Sequence, residues 1–328
     1  MKISVLDLCP VPEGSDVGQA LKSSIELAQH VESLGFPRVW YAEHHNMTGI
    51  ASAATSVVIG QVLASTKTIK VGSGGVMLPN HAPLIVAEQF GTLEALYPGR
   101  VELGLGRAPG TDQLTSRALR RTLETDPNDF PRDVVELMSY FEPAEPEQNL
   151  RAVPGAGLNV PVWILGSSLF GAQLAAILGL PYAFASHFAP TELDRALALY
   201  RERFQPSEHM DKPYAMVAAN VVVAESDEEA RFLFSSQQQA FVNLRTGRAG
   251  PLPQPVENFA DNLPLQNKIV LDQSLSCSII GGRETVINGL RRLEDQTQAD
   301  EFIVTTPVWD PQKRLQSFTL LSDLLPQV

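Results

Sequence analysis

Eight apolar runs recur along the chain, with helical patterns between most of them: Ile3–Leu8, Arg38–Ala42, Ile69–Gly74, Arg100–Leu105, Val160–Leu165, Tyr182–Ala185, Met216–Ala224 and Glu301–Thr306. They are rich in Val, Ile, Leu and aromatics and mostly lack strict alternation, as strands buried on both faces do. The helical segments carry their own punctuation. Asp16–Leu34 ends at Gly35, and Ser168–Leu178 ends at Gly179, each a natural C-terminal stop. Pro83 opens a helix that Tyr97-Pro98-Gly99 closes. Ser52–Ser65 precedes the third strand, Thr191–Phe204 begins with a Thr cap, and Ser226–Arg245 places acids in its first turn. Eight strands alternating with helices is the count of a closed parallel barrel, so the expected fold is α/β, a (β/α)8 TIM barrel in one domain over 1–328.

Two segments break the rhythm. Residues 110–159, after the fourth strand, hold helical stretches near Asp112–Leu123 and Phe130–Phe141 and then a proline-rich loop. Residues 249–275, after the seventh strand, carry Pro251, Pro253, Pro255 and Pro264 before Gly281-Gly282 and a helix at Glu284–Glu294. The second reads as structureless, either a lid over the site or a loop with no role.

A net charge of −12 with no offsetting basic cluster argues against a nucleic-acid partner. Cys9 and Cys277 are too few for a disulfide framework and lack metal-site spacing. No apolar run approaches membrane-spanning length, and the chain starts directly as a strand, so a cytoplasmic protein without membrane association is expected.

In a parallel barrel the active site lies on the loops that follow the strands. Those loops carry Glu43-His44-His45-Asn46, Gly74-Gly75, Asn80-His81, Gly104-Leu105-Gly106-Arg107, Gly166-Ser167-Ser168 and Ser186-His187-Phe188. Four of the six histidines fall on this rim. Gly166-Ser167-Ser168, at a strand end opening a helix, is either an anion-binding turn or an ordinary Ser cap. Arg107 is either its balancing cation or one half of a surface salt bridge. A metal site is not expected: adjacent histidines point apart, and no carboxylate joins them from later strand ends. Ser52–Ser65 is apolar nearly all round, with small residues, which suggests burial at a subunit contact that Glu88 on the next helix could share.

Three stretches, AEHHNMTGIASAATSVVIG, VGSGGVMLPNHAPLIVAEQFGTLEALYPGRVELGLGRAPG and VWILGSSLFGAQLAAILGLPYAFASHF, together resemble the bacterial-luciferase-like flavin-dependent monooxygenases, closest to the short single-subunit branch. The resemblance spans nearly the whole chain. It implies a TIM barrel that binds FMN, taken up reduced from a separate NAD(P)H-dependent flavin reductase, and uses dioxygen through a flavin peroxide on a small organic substrate. It implies a cis peptide at Gly74-Gly75 beneath the flavin ring, phosphate contacts from Arg107, Ser167 and Ser168 beside Gly166, and His44 as the catalytic histidine, with His45 structural. Gly171 falls where some members have a threonine, and Gly106 stands where the luciferase α chain has a reactive cysteine. Ser186-His187-Phe188 stands where the luciferase has a tryptophan, so light emission is not implied. The resemblance also implies a homodimer through helices 52–65 and 83–96. Relatives of the same fold leave two alternatives: an oxidoreductase using the deazaflavin F420, and a flavin-binding protein without turnover.

Overall fold

All eight apolar runs are strands, and every pairing between named strands is parallel. The computed structural model describes residues 1–108, 113–119 and 129–327. In chain order the elements are β1 (Ile3–Asp7), α1 (Val17–Ser33), β2 (Arg38–Tyr41), α2 (Thr55–Ser65), β3 (Lys70–Met77), α3 (Pro83–Leu96), β4 (Val101–Gly106), α4 (Gln113–Leu119), α5 (Phe130–Ser139), β5 (Val162–Gly166) and α6 (Leu169–Leu178). There follow β6 (Tyr182–Phe184), α7 (Leu193–Arg203), β7 (Ala215–Val223), α8 (Asp227–Arg245), α9 (Leu265–Ser274), β8 (Ser278–Gly281), α10 (Arg283–Thr297), β9 (Glu301–Thr305) and α11 (Pro311–Leu324). Strands β1 to β7 pair in sequence, β7 pairs with β9, and β9 returns to β1, closing an eight-stranded TIM barrel. The ninth strand, β8, lies outside the ring and pairs with the last residues of β7.

Local sequence sets the helix ends. Asp16 accepts from the Gln19 N–H, and Ser226 from that of Glu229. Gly35 and Gly179 take left-handed φ values of 82° and 62°, where a side chain would be strained. Two expected starts differ. The second helix begins at Thr55 rather than Ser52, because the Ser52 hydroxyl is engaged with the carbonyls of Leu8 and Ala42. Thr191 does not cap α7, which begins at Leu193 after Glu192. The expected helix at Asp112–Leu123 is present as Gln113–Leu119; the rest of that stretch lies outside the described residues. The 249–275 segment is not structureless. It contains α9, and Leu252 exchanges main-chain hydrogen bonds with Val11 and Glu13 in the loop after β1.

The barrel interior is filled by one interlock. Leu6, Trp40 and Gly72 are successive register partners, as are Gly74, Gly104 and Trp163. The Trp40 side chain occupies space that β3 vacates by having glycine at both inward positions. A Cβ on Gly72 would stand 2.8 Å from Trp40 Nε1, and one on Gly74 would stand 3.1 Å from Trp40 Cβ. Trp163 meets Trp40 edge to face at 5.1 Å between ring centroids. Beneath the indoles, Arg38 lies between Glu102 and Glu301 at 3.5 and 3.3 Å, with its guanidinium 5.1 Å from the Trp163 ring. The Trp40 Nε1–H donates to Glu102 at 2.9 Å. The strand C-terminal ends therefore sit above a packed floor.

Replacing Gly72 by Ala would drive a methyl against the Glu102 carbonyl oxygen at 2.6 Å as well as against Trp40. A loss of about 1–3 kcal/mol is expected from this overpacking, read as a lower urea midpoint with an unchanged m value.

Candidate active site

The loop after β2 is laced to β3 and to the turn that follows it. The Glu43 N–H donates to the Gly75 carbonyl at 3.2 Å. The Glu43 carboxylate, 2% exposed as a residue, accepts from His45 Nε2 at 2.7 Å and His81 Nε2 at 2.9 Å. It also accepts from the Met77 N–H at 3.1 Å and Asn80 Nδ2 at 3.3 Å. Burial pushes the carboxyl up, but the hydrogen bonds and charge of His81, with His45 and Met77, outweigh it and hold Glu43 below the usual carboxylate range. An ionised carboxylate accepts only, so both imidazoles present Nε2–H toward it.

The Glu43, His45 and His81 donor atoms lie within 4.8 Å of one another, a composition that could ligate a metal ion. In this structure the 2.7 and 2.9 Å separations are those of hydrogen bonds. The cluster acts as a brace, and it holds His44 between two fixed neighbours.

His44 points elsewhere. Its Nδ1 is buried with no hydrogen-bond partner, and burial pushes its pKa down despite the adjacent Glu43 carboxylate. The Gly74–Gly75 peptide is cis, as the resemblance implies. Gly74 is half-buried and reachable from the mouth, whereas Gly75 is buried against the Gly104 carbonyl, 2.6 Å from where its Cβ would be. Gly106 is buried too. The Met77 sulfur lies 2.8 Å from the position of its missing Cβ, so Gly106 offers the mouth only backbone.

The anion-binding turn is assembled from two strands. Ser168 takes the cap position of α6 with extended backbone but makes no side-chain capping bond. Its hydroxyl and the first-turn N–H groups therefore stay available, at the positive end of the helix dipole. Gly171 sits in that turn, where a Cβ would meet Tyr182 at 3.3 Å and Gly166 Cα at 3.4 Å; the absent side chain lets the turn pack onto the end of β5. The Arg107 guanidinium, from the end of β4, lies 4.1 Å from the Phe170 ring centroid, directly at this turn. Among the described residues Arg107 makes no ion pair. An uncapped helix start, two serines and a guanidinium with no ion pair among the described residues fit a phosphate; bare glycine backbone fits a flat heteroaromatic ring above it.

The structure thus brings together His44, Gly74, Gly75, Arg107, Gly166, Ser167, Ser168 and Gly171 on one arc of the rim, with Gly106 beneath it. Sequence reasoning missed the Glu43 brace, the Met77 sulfur over Gly106, and Asn220. Asn220 is the only polar residue in the run Ala215–Ala224, and that is its signal. Its Nδ2 donates to the His187 carbonyl at 2.7 Å and to the Ser278 hydroxyl at 3.0 Å. The off-rim histidines are remote. His30 ties α1 to α11 through the Leu315 carbonyl and the Thr319 hydroxyl. His209 borders a cavity of 640 Å3 at the opposite, N-terminal end of the barrel, whose floor is the Arg38–Glu102 plug. That cavity touches none of the rim residues.

Comparison with known proteins agrees with this geometry. The family described as luciferase-like monooxygenase matches residues 1–299. A luciferase-like monooxygenase of Escherichia coli is 54% identical over 321 residues, covering 98% of this chain and 96% of its own. The N-acetyl-S-alkylcysteine monooxygenase of Bacillus subtilis is 32% identical, covering 98% of each. Apo-MsnO8 superposes with a TM-score of 0.88 at 32% identity, over 100% of this chain and 99% of its own. Two solved structures share the fold at lower identity. One is the oxygenating constituent of 3,6-diketocamphane monooxygenase from Pseudomonas putida in complex with FMN, with a TM-score of 0.74 at 20% identity, covering 100% of this chain and 98% of its own. The other is an F420-dependent secondary alcohol dehydrogenase, with a TM-score of 0.71 at 17% identity, covering 99% of this chain and 98% of its own.

The mouth also carries a pH signature. Burial, with His44 nearby, pushes His187 from its ordinary 6.5 to about 3, and burial lowers His44 as well. Between these values the unfolded chain binds protons that the folded chain does not. Stability is therefore full above about pH 6.5 and falls as the pH drops toward 3. His187→Leu should flatten this slope by up to about 1.4 kcal/mol per pH unit, the value for one proton, measured by urea unfolding at several pH values across that window.

Proposed function

The chain belongs to the luciferase-like monooxygenase family, and on that premise we propose that it uses reduced FMN and dioxygen to oxygenate a small organic substrate. The observation that carries the choice of FMN is the Arg107 guanidinium, without an ion pair among the described residues, lying against the uncapped first turn of α6. Such a turn takes a phosphate group, and FMN ends in one. In this reading Arg107, the hydroxyls of Ser167 and Ser168, and the N–H groups near Gly166 and Gly171 hold the phosphate. Gly74, Gly75 and, through its backbone, Gly106 form the wall against which the ring lies. Bound reduced flavin supplies the two electrons that activate dioxygen. His44, kept neutral by burial and with Nδ1 free, holds or releases a proton at the reacting edge. Glu43 positions His44 through the loop it braces. The flavin arrives reduced from a separate NAD(P)H-dependent flavin reductase.

We also propose that two copies pair through α2 and α3. Gly60 lets the helices pack closely, with its missing Cβ 3.3 Å from Leu93. Together they leave Val57 (70% exposed) and Ile85 (51% exposed) on the surface, with Glu88 half-buried beside them. α2 has no charged residue. A chain that leaves such a face to water would associate.

Two measurements test these readings. Arg107→Met should weaken FMN binding about 10–100-fold, the worth of a charge-assisted phosphate contact, while leaving riboflavin affinity unchanged. Equal loss for both flavins would remove Arg107 from the phosphate site, and tight F420 binding without any effect on reduced FMN would overturn the monooxygenase reading. The variant Val57→Glu/Ile85→Glu should sediment as a monomer where the wild type is a dimer; a persistent dimer would place the interface elsewhere.

A further inference from the structure

The cavity at the N-terminal end of the barrel has a volume of about 640 Å3. That lies within the range of small-molecule pockets, roughly 300–1,000 Å3, which are mostly apolar with a few convergent polar groups. Its apolar walls include Met138, Phe141, Leu158, Trp163 and Met210. Its cations come from the strand starts: Lys2 just before β1, Arg38 opening β2 and Lys70 opening β3. Glu142 and Glu208 also line it, and both are exposed, so they stand at its lip.

This face of a (β/α)8 barrel ordinarily serves stability, and a plug of ion pairs alone would need nothing from outside. Arg38 exceeds that role. The residue is 6% exposed, and its Nε and Nη1 are sealed, 3.3 Å from Glu301 and 3.5 Å from Glu102. The guanidinium carbon lies 5.1 Å from the Trp163 ring centroid, which holds the fork in place. Nη2 makes neither of these contacts and donates to no described residue. Unlike the other two nitrogens it is not sealed, and Arg38 lines the cavity floor. Buried polar groups are ordinarily paired, and the donors of a guanidinium keep a fixed geometry. A pre-set donor left open toward a cavity fits an acceptor on a ligand.

The charges around it select an anion. Three cations, Lys2, Arg38 and Lys70, face two carboxylates, Glu102 and Glu301. One positive charge is left over at the floor, which matches a monoanion. The acids at the lip oppose an anion there, so the charged end is favoured inward and the apolar end outward along the walls. Methionine side chains adapt to varied shapes, which suits a flexible chain.

We propose that this cavity is a second ligand site, remote from the mouth, that takes a small alkyl carboxylate. The carboxylate accepts from Arg38 Nη2 between Lys2 and Lys70, and the chain lies against Met138, Phe141 and Met210. The inference is independent of the flavin reading.

Isothermal titration of the full-length protein with octanoate, and with octanamide as its neutral counterpart, tests it. Octanoate should bind at least about tenfold more tightly than octanamide, the worth of a charge-assisted hydrogen bond. Lys70→Gln should weaken octanoate about three- to tenfold and leave octanamide unchanged. Met210→Glu, which adds a carboxylate to the wall, should abolish octanoate binding while the circular dichroism spectrum stays that of the wild type. No octanoate binding at millimolar concentration, equal affinity for octanamide, or octanoate binding undiminished in both variants overturns the proposal.

Discussion

The seating of Trp40 against Gly72 and Gly74 is the contact on which the rest depends. An eight-stranded barrel must fill its interior with side chains. Here β3 contributes glycine inward, and one indole from β2 takes the space, with Trp163 closing from the far side. The same absence of side chains that admits the indole below leaves bare backbone above, at Gly74 and Gly75. The floor and the bare wall of the mouth are thus two consequences of one choice. A larger residue on β3 would disturb the core and the site together.

Above that floor, position is set by the buried Glu43 carboxylate. Burying a charge is costly unless it is fully engaged. Glu43 meets this condition with four donors from His45, His81, Asn80 and the Met77 N–H, and its own N–H reaches Gly75. Removing a donor would leave a buried charge undersatisfied, so the loop has little freedom to move. His44 inherits this rigidity without sharing in the network.

How far the sequence discloses all this follows from the range of each interaction. The barrel strands are legible because a strand buried on both faces must be apolar throughout, a local property. Gly35, Gly179, Asp16 and Ser226 are legible because caps act within a few residues. β8 is not: it is four residues long and ends at Gly281, too short to carry a pattern, and only the long β7 gives it a partner. α9 buries only Leu271 and so has almost no periodic signature. The glycine turns, Arg107 and the serines can be picked out individually, since strand-end loops in a parallel barrel face one side. The Glu43 brace requires two loops to converge, and the placing of the loop after β6 opposite the loop after β2 requires the ring to close. Neither is encoded within any window of sequence.

The two ends of the candidate site differ in electrostatics for a reason that bears on mechanism. At the α6 end, a guanidinium with no ion pair among the described residues and a helix dipole make a positive spot on a chain of net charge −12. At the other end, burial keeps two imidazoles neutral. A charged imidazole beside the reacting edge would compete with Arg107 for the anionic ligand and blur its orientation. Keeping that end neutral leaves one favourable place on the arc for an anionic group. Neutral nitrogens can act only through hydrogen bonds and protons, which are directional, and not through charge, which is not.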